Sequence, residues 1–391
     1  MLKFLFVAMT PRSLYLHIPF CRRKCFYCDF AITTGGRGLM AEYVQVLCEE
    51  IRDTIANLPG RGSLETVFLG GGTPSLLGGE EIAAILQTLG EGWDLVPGAE
   101  ISLEANPGTV SLESLQSYRA RGINRISLGA QAFQDHLLDR CGRGHSVADI
   151  YEAVALIRQA GFANFNLDLI SGLPHQTLPD WEESLHQTIA LAPTHVSVYD
   201  LTIEAGTAFA KRYQPGCAPL PSEELTVEMY KLAHRVLTEA GYRHYEISNY
   251  AKPGYECRHN ITYWRNQPFY GFGMSAASYV HHWRWERPRK IREYINLVRH
   301  KQYPPPVPEK INDRLFDTLM QGLRLAEGIE LAVLHQEFGE EKIAQVCQQL
   351  QKFVDRGWVQ IDHRLRLLPL EGWLFSDLVN LSLLELLGTR E

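Results

Sequence analysis

The sequence predicts an α/β fold, in which an incomplete (β/α)6 barrel is followed by a smaller, mainly α domain. Over the first two thirds of the chain, short apolar runs alternate with longer amphipathic runs, which is typical of a parallel sheet covered by helices. Six such units give a barrel that is open on one side. The predicted strands are residues 13–18, 65–69, 100–104, 125–128, 164–170 and 195–201. The predicted helices are residues 39–57, 79–89, 111–121, 146–160 and 178–191.

A second region is predicted beyond the barrel. A helix over residues 222–240 and a strand over 242–248 extend the barrel, and KQYPPPVP at 301–308 predicts a stiff linker without helix. Beyond it, three helices and a strand pair predict a winged-helix-like domain, with elements at 312–325, 330–338, 339–356, 358–361 and 365–368. The predicted division is an N-terminal extension, a barrel region and a C-terminal domain, at residues 1–12, 13–300 and 309–391.

Composition narrows the function classes. With 391 residues, 45% hydrophobic and 21% charged, the chain can bury a sizeable globular core. A net charge of −7 argues against a nucleic-acid partner. The sequence contains no apolar run of about 18 residues, so no transmembrane helix is expected. A transient contact with a membrane surface stays compatible with the sequence. The short apolar start at residues 2–9 resembles a weak signal peptide, but the first motif follows so soon that a short extension is expected instead.

Three of the eight cysteines, Cys21, Cys25 and Cys28, lie in one short loop with C-x3-C-x2-C spacing. Three thiolates can hold three irons of a [4Fe-4S] cube, whereas the usual cluster is closed by four. The open iron can bind a chelate, such as the amino and carboxylate groups of S-adenosylmethionine (SAM). A structural zinc site is the alternative, with His17 as a fourth ligand, although His17 falls inside a predicted strand. Reduced cluster thiols predict a reducing, cytoplasmic location.

The neighbours of these cysteines have expected roles as well. Arg22, Arg23 and Lys24 are expected to lower the pKa of the thiols and to offset the charge of a cluster. The ring of Tyr27 is suited to stack on an adenine. The rings that are expected to keep water from the cluster are those of Phe20 and Phe30.

Further motifs follow the cysteine loop in a fixed order, and together they resemble the radical SAM superfamily. The match narrows to the coproporphyrinogen III dehydrogenase-like family and, within it, to the heme chaperones of the HemW type. The motifs are YLHIPFC from Tyr15, GGGTPS from Gly70, EANP from Glu104, ISLGAQ from Ile126, GRGH from Gly142, DLISGLP from Asp168 and HNITYW from His259. The resemblance covers nearly the whole chain from about residue 13.

The resemblance implies a SAM site at the carboxyl ends of the strands, where ligand sites of parallel sheets gather. A glycine run at such an edge also lets the backbone approach a ligand closely. The methionyl amino group is expected to meet Gly71, Gly72 and Thr73. The other residues expected on the SAM side are Tyr15, Tyr27, Glu104, Gln131, Arg143 and Asp168.

A heme contact is expected near His259, because histidine is a common protein ligand of heme iron. Tyr263 and Trp264 offer flat apolar faces to a porphyrin. His281 and His282 are alternatives, and a structural role for a single buried histidine stays open.

Two departures from the family decide the expected function. The dehydrogenases have one more cysteine two residues after the third cluster cysteine, where this chain has Phe30, and they have a long N-terminal arm. The expected function is therefore that of a heme chaperone, which binds heme, a [4Fe-4S] cluster and SAM and passes heme to acceptor hemoproteins. The alternatives are an oxygen-independent coproporphyrinogen III dehydrogenase and a radical SAM enzyme that acts on RNA.

Overall fold

The structure is a computed structural model, and it describes residues 11–388. Most of the predicted N-terminal extension, including the apolar segment 2–9, therefore lies outside the described residues. Among the described residues, no helix combines the length and the apolar character needed to cross a bilayer.

Six parallel strands form the centre of the main sheet, which confirms the predicted α/β class. Within residues 11–388 this sheet has nine strands in the order β7-β8-β6-β5-β4-β3-β2-β1-β9. Neighbouring strands from β1 to β6 pair in parallel. The six are β1 Ser13–Ile18, β2 Gly62–Gly71, β3 Trp93–Ala105, β4 Arg125–Gln131, β5 Asn164–Ser171 and β6 His195–Asp200.

The helices between these strands begin close to the predicted positions, because their caps are visible in the sequence. Ser146 and Asp149 form a reciprocal capping box at the start of α5, and Thr177 and Asp180 form one at the start of α6. The short helix α4 was not predicted. The helices are α1 Arg37–Ile55, α2 Gly79–Gly90, α3 Leu112–Ala120, α4 Asp135–Arg140, α5 Val147–Gln159 and α6 Leu178–Ala190.

The segment that follows β6 completes both edges of the sheet. One edge carries the antiparallel pair β7 and β8, and the other carries β9, which is parallel to β1. The strands from β8 to β11 were missed because strands of three or four residues show too little periodicity. They are α7 Glu223–Glu239, β7 Arg243–Glu246, β8 Asn249–Ala251, α8 Arg258–Trp264, β9 Tyr270–Phe272, β10 Ala277–Val280, β11 Trp283–Glu286 and α9 Ile291–Arg299.

The mainly helical C-terminal region was predicted correctly. The predicted linker ends in a two-residue edge strand, β12 Val307–Pro308, which pairs with β11. One apolar core extends to Val298 and a second begins at Leu315; the domain boundary itself stays a prediction. The remaining elements are α10 Ile311–Gly322, β13 Ile329–Glu330, α11 Leu331–Phe338, α12 Glu340–Val354, β14 Val359–Ile361, β15 Arg364–Leu367, α13 Glu371–Leu374 and α14 Ser376–Leu387.

Candidate functional site

The loops that follow β1 to β6 lie at one end of the barrel, here called the rim, and they surround a cavity of about 640 Å³. This volume is within the range of small-molecule sites. Because parallel strands run in one direction, the loop after each strand reaches this end. The predicted site residues that line the cavity are Tyr15, Cys21, Cys25, Tyr27, Cys28, Gly71, Gly72, Thr73, Glu104, Gln131, Arg143, Asp168 and His259.

The cysteine loop follows β1 and is anchored by backbone hydrogen bonds. Cys21 donates to the carbonyl of Thr33 at 3.0 Å, and Phe26 donates to that of Cys141 at 2.9 Å. Cys21, Cys25 and Cys28 are free thiols, each partly exposed. The fold therefore presents three thiols that form no disulfide to one cavity.

Burial, and not the neighbouring cations, dominates the acidity of two of these thiols. Burial raises the pKa of Cys21, and the hydrogen bond with Thr73 offsets only part of this effect. Burial also raises the pKa of Cys28 to about 11, and Lys24 opposes this weakly. Lys24 therefore acts on Cys28 in the expected direction, but burial outweighs it, and the net pKa of Cys21 and of Cys28 is raised. A metal that binds here must displace protons.

The loop fits a cluster better than it fits zinc. Both ring nitrogens of His17 have protein partners, the Tyr15 hydroxyl at 3.1 Å and the Ala31 carbonyl at 2.9 Å. Within residues 11–388 no three His, Cys, Asp or Glu side chains are arranged to hold one metal ion. A cube places each thiolate on its own iron, so three free thiols that line one cavity suit it.

The glycine run brings the end of β2 against the cysteine loop. Gly71 has φ +112°, and a Cβ there would lie 2.5 Å from the His17 ring. A Cβ on Gly72 would lie 2.7 Å from the carbonyl oxygen of Phe20. Packing alone therefore requires both glycines. Their contact with SAM stays a prediction, and a bulky substitution at Gly71 would disturb His17 before it disturbed a ligand.

Two buried carboxyl groups face the cavity, on Glu104 and Asp168. Burial raises the pKa of Glu104 to about 7, with the nearby Asp168 as the second cause. Glu104 accepts a hydrogen bond from the Gly71 amide at 2.9 Å. Asp168 accepts from Asn166 at 2.7 Å, and burial raises its pKa as well. The pair can accept hydrogen bonds from an ammonium group or from ribose hydroxyls.

Arg143 is held at the rim by neutral groups. It donates to the Gly129 carbonyl at 2.7 Å, to the Tyr27 hydroxyl at 3.3 Å and to the side chain of Asn106. Its Nη1 also lies 3.6 Å from the Cys25 Sγ. Among the described residues Arg143 forms no ion pair with Asp168.

Asn106 was not predicted as a site residue, although the EANP motif contains it. Its Nδ2 donates to the Thr73 hydroxyl at 2.9 Å, while its Oδ1 accepts from Arg143. Asn106 therefore connects the glycine run to the arginine. Its place two residues after Glu104 was the available signal.

Gln131 ends β4 with φ +72°, which is strained for a residue with a side chain. Its side chain lines the cavity, and its amide has no hydrogen-bond partner among residues 11–388. Strain together with unused donors and acceptors is expected where a ligand supplies the missing partners.

The two phenylalanines differ. Phe20 is buried beside Tyr43, as expected, whereas Phe30 is 61% exposed at the mouth of the cavity. The expectation that Phe30 keeps water from a bound cluster stays a prediction.

His259 lies on α8 at the inner wall of the cavity and is fully hydrogen bonded. Its Nδ1 is 2.8 Å from the Thr66 hydroxyl, and its Nε2 is 2.8 Å from the Tyr263 hydroxyl. Burial lowers its pKa to about 3, so the ring is neutral. Heme contact at His259 stays a prediction, and coordination of iron would require one of these hydrogen bonds to break.

The other proposed heme groups lie elsewhere. Trp264 lies beneath the Arg324 guanidinium, 4.3 Å away, and does not line the cavity. His281 and His282 form the turn between β10 and β11, also outside it. The residues that line the cavity and that sequence reasoning missed include Arg125, Ser127, Ser197, Tyr199 and Asp200.

The fold and the site define the class, a radical SAM protein related to coproporphyrinogen III enzymes. The Radical SAM superfamily model matches residues 15–188, and the HemN C-terminal domain model matches 312–375. Coproporphyrinogen III oxidase (HemN) of Escherichia coli has a similar fold, with a TM-score of 0.82 and 23% identity over 95% of this chain and 90% of that one.

Relatives at higher identity narrow the class. A protein of Synechocystis named heme chaperone HemW is 44% identical, covering 90% of this chain and 87% of its own length. Proteins of the same name from Bacillus subtilis and Escherichia coli are 33% and 42% identical, covering 94% and 70% of this chain and 97% and 71% of their own lengths. The chain belongs to the HemW family.

Proposed function

We propose that this protein is a heme chaperone, which binds a [4Fe-4S] cluster, SAM and heme and delivers heme to acceptor hemoproteins in the cytoplasm. The observation that carries the proposal is that three free thiols line one cavity together with the polar residues of the rim. Membership of the HemW family supports the heme part.

Cys21, Cys25 and Cys28 would hold the cluster, and the surrounding residues would hold SAM. When bound, the cluster supplies an electron and an iron without a protein ligand. The Gly71 and Gly72 backbone, with Thr73 and Glu104, would receive the methionyl amino group, because Glu104 provides a carboxylate beside the glycine run. Gln131, Arg143 and Asp168 would orient the remaining polar groups, with Tyr15 beside them and Tyr27 against the adenine.

Heme would enter by the open mouth and contact the wall formed by His259 and Tyr263. The two rings meet edge to face, with centroids 5.0 Å apart, and Tyr15 and Phe68 stack on the same histidine. This aromatic group offers an apolar face to a macrocycle. The His259→Ala variant should therefore weaken heme binding more than Tyr263→Phe does, at unchanged iron content of the cluster.

The dehydrogenase is the second candidate, and the similar fold of HemN is what favours it. The residue at position 30 argues against the dehydrogenase function, since Phe30 cannot supply the additional thiolate of that enzyme. The RNA alternative has only the general radical SAM character in its favour, and the net charge of −7 opposes it.

The test is a paired experiment on anaerobically reconstituted protein. In one arm heme is titrated and the Soret band is followed. In the other arm coproporphyrinogen III, SAM and a reductant are added and porphyrin products are measured. We expect saturable heme binding and no turnover. Turnover at an enzymatic rate, or the absence of heme binding in both iron oxidation states, would contradict the proposal.

A further inference from the structure

A buried arginine lies at the inner end of the cavity, below the rim. Arg125 is the first residue of β4 and is 2% exposed, yet its side chain lines the cavity. Among residues 11–388 its guanidinium has neither a hydrogen bond nor an ion pair, and its Nε is buried without a partner. Arginine keeps its charge in proteins, so a bare buried guanidinium is costly unless an anion compensates it.

The nearest acids do not compensate Arg125 by direct contact, because their oxygens have other partners. Glu100 accepts from the backbone amides of Arg258 and His259, at 3.2 and 3.1 Å, and so caps the start of α8. Asp168 accepts from Asn166 at 2.7 Å. These carboxylates lower the energy of the guanidinium only through space.

The nearby ring of His195 is also fully hydrogen bonded. His195 is bonded to Asn166 at 2.7 Å and to the Tyr245 hydroxyl at 2.9 Å. Burial, and then the charge of Arg125, lowers the pKa of His195, so this ring stays neutral. Ser102 pairs in register with Arg125 on β3, and its hydroxyl is likewise buried without a partner.

We propose that Arg125 binds a carboxylate of the ligand that occupies the barrel. Arginine matches a carboxylate in a bidentate geometry. The carboxylate has two possible sources, a propionate of the tetrapyrrole and the methionyl carboxylate of SAM. The propionate source rests on the proposed function, and the SAM source does not.

The test compares wild type with Arg125→Gln and Arg125→Lys, with Arg61→Gln as the control. Arg61 is exposed and pairs with Asp94 away from the cavity. Heme and heme dimethyl ester, whose propionates carry no charge, are titrated by the Soret band. SAM is titrated on the reconstituted cluster, and circular dichroism and iron content report folding.

For the propionate source, Arg125→Gln should bind heme at least about ten-fold more weakly and bind the ester as wild type does. The heme affinity of Arg125→Lys should lie between those of Arg125→Gln and wild type. For the SAM source, the affinity for SAM should fall about ten-fold while both tetrapyrroles are unaffected. Equal losses for heme and its ester, or no loss for any ligand, overturn the proposal.

The heme arm also separates this proposal from the proposed function. If wild type binds no heme, the chaperone role is contradicted. The titration of SAM alone then decides whether Arg125 binds a carboxylate. If Arg125→Gln fails to fold, the wild-type comparison of heme with its ester and the Arg125→Lys titration of SAM decide instead. Equal affinity of wild type for heme and its ester, with normal SAM binding by Arg125→Lys, overturns the proposal.

Discussion

The rim of the barrel lines an open cavity with polar groups, whereas the C-terminal region encloses an apolar core. At the rim, Gln131 has unused hydrogen-bonding groups, and three thiols face a cavity. In the C-terminal region the core is apolar, as at Leu319 and Leu350, and charged groups pair at the surface, as Arg364 does with Glu330. The rim therefore offers thiols and an unused amide to a ligand, whereas the C-terminal region packs around an apolar core, in which the Nε1 of Trp373 also has no partner.

Replacement of the three loop cysteines should have the largest expected effect, the loss of the cluster. In the variant with Cys21, Cys25 and Cys28 all replaced by alanine, iron and sulfide should be lost after anaerobic reconstitution, because no other cysteine among residues 11–388 lines the cavity. The Cys347→Ala variant, in the C-terminal region, should bind iron like wild type. Four irons per chain in the triple variant would disprove the assignment, and one zinc per chain in wild type with no iron uptake would favour the zinc alternative.

The C-terminal core should control stability without controlling the cluster. Leu350 on α12 is completely buried, so Leu350→Ala should lower the free energy of unfolding by about 2–5 kcal/mol. Chemical denaturation measures this change, and iron content at low temperature should stay that of wild type. Loss of the cluster in this variant would show that the two regions depend on each other.

Glu104 predicts a pH dependence that originates at the rim. Its pKa is raised from the ordinary value of 4.5 to about 7, so between these values the folded protein binds more protons than the unfolded one. The stability contributed by protonation is present at low pH and is lost as pH rises through this window. Glu104→Gln should remove the loss and raise the free energy of unfolding at pH 8 by up to about 3 kcal/mol.

Denaturation curves between pH 4.5 and 8 test this dependence, since the window is set by the pKa of Glu104. The matched control is Glu385→Gln on the exposed face of α14, which should keep the slope of wild type. A Glu104→Gln protein with the same slope as wild type would show that this carboxyl group is not the source.

Gln131 should give the smallest of these effects. The Gln131→Met variant keeps the size of the side chain but removes its amide, so SAM should bind about ten-fold more weakly. Equilibrium binding on the reconstituted protein measures the change. Gln351→Met, in the C-terminal region, should leave SAM affinity unaltered. An equal affinity in both variants would show that Gln131 does not bind SAM.

The sequence predicted the six central strands and the cysteine loop because alternation and spacing are local signals. It did not predict the position of α8, since Glu100 on a distant strand caps this helix. It also misjudged the thiols of Cys21 and Cys28, because burial depends on tertiary packing and outweighs the adjacent cations. Arg125 gave no local signal, because only the completed barrel leaves its guanidinium without a partner.

The most direct measurement of the central claim is the electron paramagnetic resonance spectrum of the reduced, reconstituted protein with and without SAM. If Cys21, Cys25 and Cys28 leave one iron open to the cavity, SAM should shift the spectrum of the cluster, and the Cys347→Ala protein should show the same shift. A reduced four-iron cluster with a spectrum unchanged by saturating SAM would contradict the account.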